Sequence, residues 1–469
     1  MADLVLKNGR VVTPTAVIQG GVAVTGEKVV AVGPEASLGR GQREIDLQGK
    51  VLFPGLFDPH VHLGMGDTIG EERMRSDFET ETKDAALGGV TTFSTTSLLG
   101  KGSLVVQFER SRDCGQGRSY IDYHLNTSVM TREHCLEIPQ VFARGGASSK
   151  FFWGYKGVQA QGFGLSEFGF TPDLFYLACR ALAQCGPPAL AAIHAEDPWI
   201  RELLAEEIRQ QDRKDLLTAW AEHSPEYAES IQLYAAAMIA HPWGVPLYPV
   251  HVSAAHTVDT IQELRCQGIQ IIGETVGGFL ATTAPEADAR GLGPLGKIQP
   301  PIRFERDKER LWRGLQEGSI RVVGTDTVPY SRAFKTAVDF WDSRVGLNNY
   351  MNATLPLMLT EGYHKGRLGL VELARVLSEN GCRAFGLYPR KGAIQPGADA
   401  DLVVIDLERE TCLGLDKKRG SSDYCIWEGV PVKGVPVMTF VRGRLVAQDG
   451  EIVAERPQGA FVPHGRAIR

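Results

Sequence analysis

The sequence predicts an α/β protein: a (β/α)8 barrel of the TIM type with a second, small β-sandwich domain built from both chain termini. Three observations support this prediction. Eight apolar, strand-like runs in the middle of the chain alternate with helical patterns. Hairpin-like patterns fill both ends, and a small sheet of this kind cannot bury its apolar face alone. A chain of 469 residues is also longer than one ordinary core requires.

Composition restricts the class of protein. Hydrophobic residues make up 43% and charged residues 23% of the chain, and the formal net charge is −6. These values are typical of a globular protein and argue against a nucleic-acid or anionic membrane surface. No apolar run could span a bilayer, and Met1–Leu4 is not the start of a signal peptide. We therefore expect a cytoplasmic protein. The eight cysteines lack CxxC spacing, which predicts reduced thiols and no thiolate metal site.

The two ends of the chain share one pattern of short β-runs and turn residues. Asn8–Gly9 and Gly26–Glu27 separate such runs near the start, and Arg442–Gly443 and Asp449–Gly450 separate them near the end. Pairs of this kind favour hairpins with primed turns. The strands of each end can cover the apolar face that the other end cannot bury alone. We therefore predict two domains: a composite β-sandwich of residues 1–53 and 388–469, and a barrel of residues 54–387.

The central segment alternates strand and helix patterns. The apolar runs end, in order, at His62, Ser97, Thr127, Lys150, His194, His251, Glu274 and Asp326. Helical patterns cover Asp77–Leu87, Pro172–Gln184, Pro225–Ala240, Thr257–Gln267 and Lys308–Gln316. Ser224 precedes Pro225 and is the predicted N-cap of the third of these helices. Because barrel enzymes carry their chemistry at the C-terminal ends of the strands, the polar residues at these ends are the candidate site.

The first candidate ligands are His60 and His62, at the end of the apolar run Val51–His62. Alternate residues of a strand face the same side, so both imidazoles would point at one place. Two histidines alone could equally be a polar strand end that binds water. Four further candidates end later strands: Lys150, His194, His251 and Asp326. Polar groups at the ends of apolar strands are costly unless satisfied, so six of them at one end of a barrel favour a metal site.

This set of motifs resembles the amidohydrolase superfamily, and specifically its cyclic-amide branch of hydantoinases and dihydropyrimidinases. The resemblance covers essentially the whole chain, and its most specific segments are PGLFDPHVHL, SKFFWGYKG, HAED, VHVS, QPPIR and GTDTVPY. It implies that His60, His62 and Asp326 bind the more buried of two metal ions. It also implies that His194 and His251 bind the second ion and that Lys150 bridges both as a carboxylated lysine.

Charge supports the modification of Lys150, because an ammonium between two dications would be strongly repelled. With a carbamate on Lys150, ionised Asp326, a bridging hydroxide and neutral histidines, the site keeps a net charge of about +1. Such a site can hold an anionic intermediate. Nitrogen and oxygen ligands favour two Zn²⁺ ions per chain, and Mn²⁺ or Co²⁺ would fit similar sites.

The resemblance implies hydrolysis of a hydantoin or dihydropyrimidine ring to an N-carbamoyl amino acid. Two ions roughly 3.5 to 4 Å apart would supply a bridging hydroxide that attacks the ring amide carbonyl. Tyr155 would donate a hydrogen bond to the oxyanion, and Asp326 would carry a proton to the leaving nitrogen. Gln299 and Asn348 would bind the ring with Tyr155, although Asn349 is an alternative to Asn348. The expected assembly is a homotetramer, or at least a dimer.

Other substrates in the same branch remain alternatives. A dihydroorotase typically has an arginine soon after its HVH motif, where this chain has Leu63–Gly66, and an allantoinase would carry a Glu-Pro-Gly loop there. Ordinary hydantoinases differ too: their Asp two residues after the second His is Gly64 here, their Ser-Pro-Pro is Gln299–Pro301, and the His after the metal-binding Asp is Thr327. The chain could therefore act on another cyclic amide or imide.

Two alternatives lie outside cyclic amide hydrolysis. Some relatives of dihydropyrimidinase are non-enzymatic assembly proteins that have lost metal ligands, and the complete ligand set of this chain argues against that class. A mononuclear deaminase on the same barrel would leave Lys150 unmodified and would not need the SKFF segment.

Overall fold

The computed structural model describes residues 1–100, 102–162, 165–417 and 419–466. Within these ranges the chain forms seventeen strands: β1 (Ala2–Val12), β2 (Val17–Thr25), β3 (Lys28–Gly33), β4 (Gly41–Asp46), β5 (Val51–Pro54), β6 (Leu56–Val61), β7 (Val90–Thr96), β8 (Asp122–Ser128), β9 (Ser148–Trp153), β10 (Leu190–Ala195), β11 (Leu247–Pro249), β12 (Gly273–Val276), β13 (Ile320–Gly324), β14 (Leu402–Cys412), β15 (Pro431–Val441), β16 (Arg444–Gln448) and β17 (Glu451–Ile452).

The same ranges contain sixteen α-helices: α1 (Glu71–Leu87), α2 (Leu104–Gly115), α3 (Arg132–Ala143), α4 (Gly157–Gly162), α5 (Pro172–Cys185), α6 (Pro198–Arg209), α7 (Leu216–His223), α8 (Glu226–Ala240), α9 (Ala255–Cys266), α10 (Gly277–Ala281), α11 (Ala284–Ala289), α12 (Glu305–Glu317), α13 (Arg332–Lys335), α14 (Met351–Met358), α15 (Leu370–Ala374) and α16 (Asn380–Ala384). A π-helical turn at Leu359–Tyr363 extends α14, and another at Arg375–Glu379 joins α15 to α16. Among the described residues, no helix combines the length and apolar character that crossing a bilayer requires.

Strands β6 to β13 form a curled parallel sheet in the middle of the chain. Six of them pair side by side in the order β11, β10, β9, β8, β7, β6, while β12 pairs with β13. A bridge between Leu247 and Ile271 links β11 to the start of β12, and a bridge between Val61 and Thr327 links β6 to the segment after β13. All eight strands predicted from the apolar runs are present.

The parallel strands are buried on both faces. Every residue of β6, β7, β8, β9 and β10 is buried, because helices such as α1, α2, α5 and α8 cover the outer face. A strand covered on both sides reads as a continuous apolar run rather than as an alternation, as in β10 (LAAIHA), whereas β7 (VTTFSTT) and β8 (DYHLNTS) also bury polar residues. The five predicted helices also form, as α1, α5, α8, α9 and α12, and α1 begins six residues earlier than predicted, at Glu71.

A second, mixed sheet of nine strands joins the two ends of the chain. Its order is β17, β16, β15, β14, β5, β1, β2, β3, with β4 paired to β1. The junction is the antiparallel pair of β5 and β14, in which Val51 faces Ile405 and Pro54 faces Leu402. The predicted turn at Arg442–Gly443 connects β15 to β16 with φ angles of 49° and 77°, as a primed turn requires.

The predicted hairpin turn at Asn8–Gly9 is wrong. Strand β1 continues through both residues, and its pairing with β2 shifts by one residue between Leu6 and Gly9. Asn8 has a φ of 57°, so the positive φ that suggested a turn belongs to a β-bulge. At this bulge β1 changes its parallel partner from β4 to β5. Because of the bulge, the single strand β1 pairs with β4 in its first half and with β5 in its second half.

Candidate metal centre

The structure places the six predicted ligands at the same side of the curled sheet. His60 lies on β6 and His62 just after it, Lys150 lies on β9 and His194 on β10, and His251 and Asp326 each follow a strand by two residues. None of the six is more than 6% exposed. The prediction that these side chains converge agrees with their contacts, which are described below.

His60, His62 and Asp326 form the tightest group. Oδ1 of Asp326 lies 3.1 Å from Nε2 of His60 and 3.1 Å from Nε2 of His62. Ligand atoms from the three residues all lie within 4.8 Å of one another, close enough to share one ion. The backbone holds this arrangement, because the amide of Asp326 donates to the carbonyl of His60 (2.8 Å) and the amide of His62 donates to the carbonyl of Thr327 (2.9 Å).

Lys150 joins this group through His60. Its Nζ lies 3.0 Å from Nε2 of His60 and 5.5 Å from the centre of the Phe152 ring. Burial lowers the pKa of Lys150 to about 8, although Asp326 and Glu274 oppose this effect. A primary amine in this apolar position therefore loses its charge more readily than an exposed lysine.

His194 and His251 complete the set on the other side of His60. Their ring centres lie 4.5 Å apart, and the His251 ring stacks on the His60 ring at 5.3 Å. Burial first, and then the neighbouring Lys150, lowers the pKa of His60 well below its usual value, and burial with the neighbouring His194 does the same for His251. Metals bind the neutral imidazole, so burial keeps these rings in the form that coordinates.

Two features indicate that these side chains are arranged to bind metal ions and not only to contact one another. Nδ1 of His62 and Nδ1 of His251 are buried and have no hydrogen-bond partner among the described residues, which is costly for a polar atom. His251 and Asp326 also have φ angles of 43° and 52°, in the left-handed region that costs non-glycine residues about 1 to 3 kcal/mol. His251 has both features, and His62 and Asp326 have one each, as expected of a site that bound ions would complete.

Glu274 contacts the candidate centre, although the sequence prediction assigned it no role. Its Oε1 lies 2.9 Å from Nδ1 of His60, and its Oε2 accepts a hydrogen bond of 2.7 Å from the Tyr248 hydroxyl. A carboxylate at Nδ1 fixes the orientation of the ring and leaves Nε2 facing Lys150 and Asp326. The available signal was its position: Glu274 is the one acidic residue at the end of the seventh strand-like run.

Glu196 forms a second carboxylate contact, with His194. Its Oε2 lies 2.9 Å from Nε2 of His194, and its Oε1 accepts a hydrogen bond of 2.5 Å from the Ser224 hydroxyl. Burial would raise the pKa of Glu196, but Arg201 and His194 outweigh it and hold the pKa below its usual range. The predicted N-cap role of Ser224 is wrong, because Pro225 occupies the N-cap position of α8 and the Ser224 side chain is committed to Glu196.

Gln299 and Asn348, the predicted ring-binding residues, both use their side chains inside the protein. Nε2 of Gln299 donates to the two carboxylate oxygens of Glu196 at 2.5 and 2.6 Å. Nδ2 of Asn348 donates to Ser422 Oγ at 3.0 Å, and its Oδ1 accepts from the Tyr350 amide at 2.8 Å. The side chains of both residues are therefore engaged with neighbouring residues of the protein.

Tyr155 lies beside His194 and lines a cavity. Its ring centre is 4.9 Å from that of His194, and it is 7% exposed. The cavity has a volume of about 430 Å³, within the range of small-molecule sites. Its walls come from the loop after His62 (Met65, Gly66, Asp67, Ile69), from Tyr155 and Gln159, and from the segment after β13 (Tyr330, Phe334, Trp341, Asp342, Ser343, Arg344, Val345).

Gly64 begins the loop after His62 and lies close to α1. Its φ is 75°, and an added Cβ would lie 2.8 Å from Cβ of Met74 on α1. Its amide donates to Asp77 Oδ2 at 2.9 Å, which ties the loop after His62 to the same helix. This close approach leaves no room for a side chain at position 64.

The fold and the candidate site together define a class of protein. It has a curled parallel sheet and, at the ends of the strands, a candidate metal centre made of histidines, a carboxylate and a buried lysine. Comparison with known proteins identifies the family. The model of the amidohydrolase family matches residues 51–446, so the chain belongs to the amidohydrolase family. Its high-coverage relatives place it in the hydantoinase and dihydropyrimidinase branch.

The similarity extends over the full length of these relatives. The L-hydantoinase of Paenarthrobacter aurescens is 30% identical over 467 residues, which cover 98% of each chain. The D-hydantoinase of Geobacillus stearothermophilus is 30% identical over 468 residues, covering 98% of this chain and 96% of that protein. Among solved structures, the L-hydantoinase (dihydropyrimidinase) from Arthrobacter aurescens matches with a TM-score of 0.89 at 28% identity and covers 99% of this chain and 100% of that chain.

Proposed function

We propose that the protein is a metal-dependent hydrolase that opens a hydantoin or dihydropyrimidine ring to an N-carbamoyl amino acid. The observation that carries this proposal is the complete set of six ligand types on a chain aligned end to end with hydantoinases. Hydrolysis of a cyclic amide is the activity common to the branch. The more specific part of the proposal is that the ring is a hydantoin or a dihydropyrimidine.

The residues of this chain would hold two divalent ions. His60, His62 and Asp326 would hold one, His194 and His251 would hold the other, and Lys150, carboxylated on Nζ, would bridge them. When bound, the ions would supply a hydroxide at neutral pH and polarise the amide carbonyl. Nitrogen and oxygen donors favour Zn²⁺, with Mn²⁺ or Co²⁺ as alternatives.

The protein side chains around this centre would handle protons and orientation. Asp326 would accept the proton of the attacking hydroxide and pass it to the leaving ring nitrogen, a role that needs an ionised carboxylate. Burial opposes that ionisation, but His60 and His62 outweigh it and lower the pKa of Asp326. Tyr155 would donate a hydrogen bond to the carbonyl oxygen, and burial raises the pKa of its hydroxyl, which keeps the proton in place.

Ring hydrolysis by metal-replete protein tests the proposal. The panel is hydantoin, 5-substituted hydantoins of each hand, dihydrouracil, allantoin, dihydroorotate and simple cyclic imides. We expect hydantoins or dihydrouracil to open and the chelated protein to be inactive until metal is restored. If only allantoin or dihydroorotate opens, that ring is the substrate, and the protein is similar in activity to an allantoinase or a dihydroorotase. If no ring opens although two ions are bound, the proposed activity is wrong.

Replacing Tyr155 with phenylalanine should lower turnover about 100-fold, because one donor to the oxyanion is lost. Metal content, measured by atomic emission, should stay at the wild-type value because the hydroxyl is not a ligand in this account. Tyr388→Phe, a tyrosine outside the cavity whose hydroxyl contacts Gln395, is the control and should keep wild-type turnover. Wild-type turnover in Tyr155→Phe would remove Tyr155 from the mechanism.

We also infer that the eight parallel strands close a (β/α)8 barrel over residues 54–387, and that residues 1–53 and 388–469 form a composite β-sandwich. The bridges from Leu247 to Ile271 and from Val61 to Thr327 support closure of the barrel. The pairing of β5 with β14 supports a domain built from both ends of the chain.

We further propose that the protein is a homotetramer, or at least a dimer, with α8 in contact with a second copy. The four exposed residues of this helix are Tyr227, Ile231, Tyr234 and Met238, spaced as one face of a helix and 39 to 47% exposed. No charged residue is exposed on that face. An apolar stripe of this kind indicates a protein interface.

Replacing Ile231 with aspartate should dissociate the assembly, because the charge would be buried without a partner in the interface. Sedimentation of the variant is expected to show a smaller species than the wild type at the same concentration. The control is Leu136→Asp on α3, a leucine that is 75% exposed and far from this helix along the chain. An unchanged mass for Ile231→Asp would place the interface elsewhere.

A further inference from the structure

Among the charged side chains on the wall of the cavity beside the metal centre, Arg344 has neither an ion pair nor a side-chain hydrogen bond within the part of the chain that the structure describes. Arg344 is also exposed. The two acidic residues of the wall are engaged: Asp342 accepts hydrogen bonds of 2.9 and 2.8 Å from Arg209, and Asp67 accepts one of 2.9 Å from the Ser331 amide.

The backbone that carries Arg344 is held by two buried lysines. Nζ of Lys335 donates to the carbonyl of Arg344 at 2.6 Å and to the carbonyls of Gly346 and Lys297 at 2.7 and 2.8 Å. Nζ of Lys297 donates to the carbonyl of Ser343 at 2.9 Å, and to those of Phe340 and Trp341 at 2.8 Å. Both lysines are at most 1% exposed.

These contacts give Arg344 a defined position. An ammonium donating three hydrogen bonds fixes three carbonyls at once, and two of them act on consecutive residues, Ser343 and Arg344. Buried lysines without a carboxylate partner are unusual, because burial disfavours the charge. The two lysines hold a short loop that passes along the cavity, so the backbone from which the Arg344 side chain extends is fixed on the wall.

We propose that Arg344 determines specificity by binding an anionic group, such as a carboxylate, on the ring substituent of the substrate. The inference rests on the proposed cyclic amide hydrolysis. The ring would lie at the metal centre beside Tyr155, and the substituent would extend along the cavity to Arg344. Arginine suits this role because its planar donors match the two oxygens of a carboxylate and its charge does not titrate.

Two hydantoins that differ only in charge test the proposal: one has a 2-carboxyethyl group at C5, the other has the isosteric 2-carbamoylethyl group. We expect Arg344→Met to lower the ratio of kcat/KM for the acid over the amide about tenfold, mainly through KM. Turnover of unsubstituted hydantoin should stay at the wild-type value. The preference of the wild type for the acid should also weaken as salt is raised.

The matched control is Arg313→Met on α12, which removes an exposed arginine that makes no ion pair with the described residues. It should leave the acid-to-amide ratio unchanged. The ring-opened products of both hydantoins are the second probe, because calorimetry measures their binding without turnover. The same tenfold loss of preference is expected there in Arg344→Met.

The outcomes separate the two proposals. If metal-replete wild type opens neither of these hydantoins nor any ring of the panel described above, the proposed activity fails, and the binding ratio of the two products still decides the role of Arg344. If the rings open and Arg344→Met keeps the wild-type ratio in both turnover and binding, the role of Arg344 is refuted. An equal loss in Arg313→Met would also overturn it, because the effect would then come from overall charge.

Discussion

Lys150→Ala is expected to lose bound metal and to hydrolyse cyclic amides at least about 1,000-fold more slowly than the wild type, since it removes several kcal/mol of stabilisation by the ions. The side chain is 2% exposed and its Nζ lies 3.0 Å from His60, on the side of the ring opposite Glu274. Asp326, the carboxylate that contacts the same ring nitrogen at 3.1 Å, is already assigned to one ion in this account and does not replace Lys150 between the two. Metal content and hydantoin hydrolysis, measured on the same preparation, check this result.

Rescue and a control make the Lys150 result specific. A small carboxylate such as propionate should restore part of both metal binding and activity, because it can enter the space left by the side chain. Lys156→Ala is the control: this lysine pairs with Glu202 at 2.7 Å and covers the ring of Trp199, outside the centre. It should keep the wild-type metal content. A Lys150→Ala protein with two ions and full activity would contradict the bridging role.

Asp326→Asn should reduce turnover by about 100-fold to 10,000-fold, the range expected when a general base is lost. The carboxylate contacts Nε2 of both His60 and His62, and an amide of the same shape has neither its charge nor its capacity to accept a proton. One ion should bind more weakly as well. Turnover at saturating metal separates the two effects, because added metal can restore occupancy but not the base.

The control for Asp326 is Asp288→Asn. Asp288 accepts hydrogen bonds from the amides of Leu217 and Thr218 at the start of α7, so its loss should affect stability rather than rate. We expect a lower melting temperature with wild-type turnover per folded molecule. If Asp326→Asn keeps wild-type turnover, Asp326 does not transfer the proton and another group must do so.

The parallel sheet could be predicted from the sequence because its strands are buried on both faces. Such strands leave continuous apolar runs, and the ends of those runs mark where the candidate ligands stand. His60 and His62 were visible as a pair because alternate strand residues share a face. Lys150, His194, His251 and Asp326 became visible only as a set, since each alone could be a satisfied polar group.

The contacts between distant segments could not be predicted in this way. Glu274 and His60 are far apart along the chain, and so are Glu196 and Gln299, and no local pattern couples either pair. The Asn8–Gly9 bulge could not be predicted for the same reason. The dipeptide favours a positive φ, but pairing with the neighbouring strands decides whether the chain forms a turn or a bulge. Local sequence fixes conformational preference, whereas the partner is set by packing across the fold.

The measurement that tests the central claim most directly is anomalous X-ray diffraction from crystals of metal-replete protein. The account predicts two ions per chain, one bound by His60, His62 and Asp326 and the other by His194 and His251, with extra density on Nζ of Lys150 that bridges them. A single ion beside an unmodified Lys150 would contradict the binuclear centre, and so would two ions held by other residues.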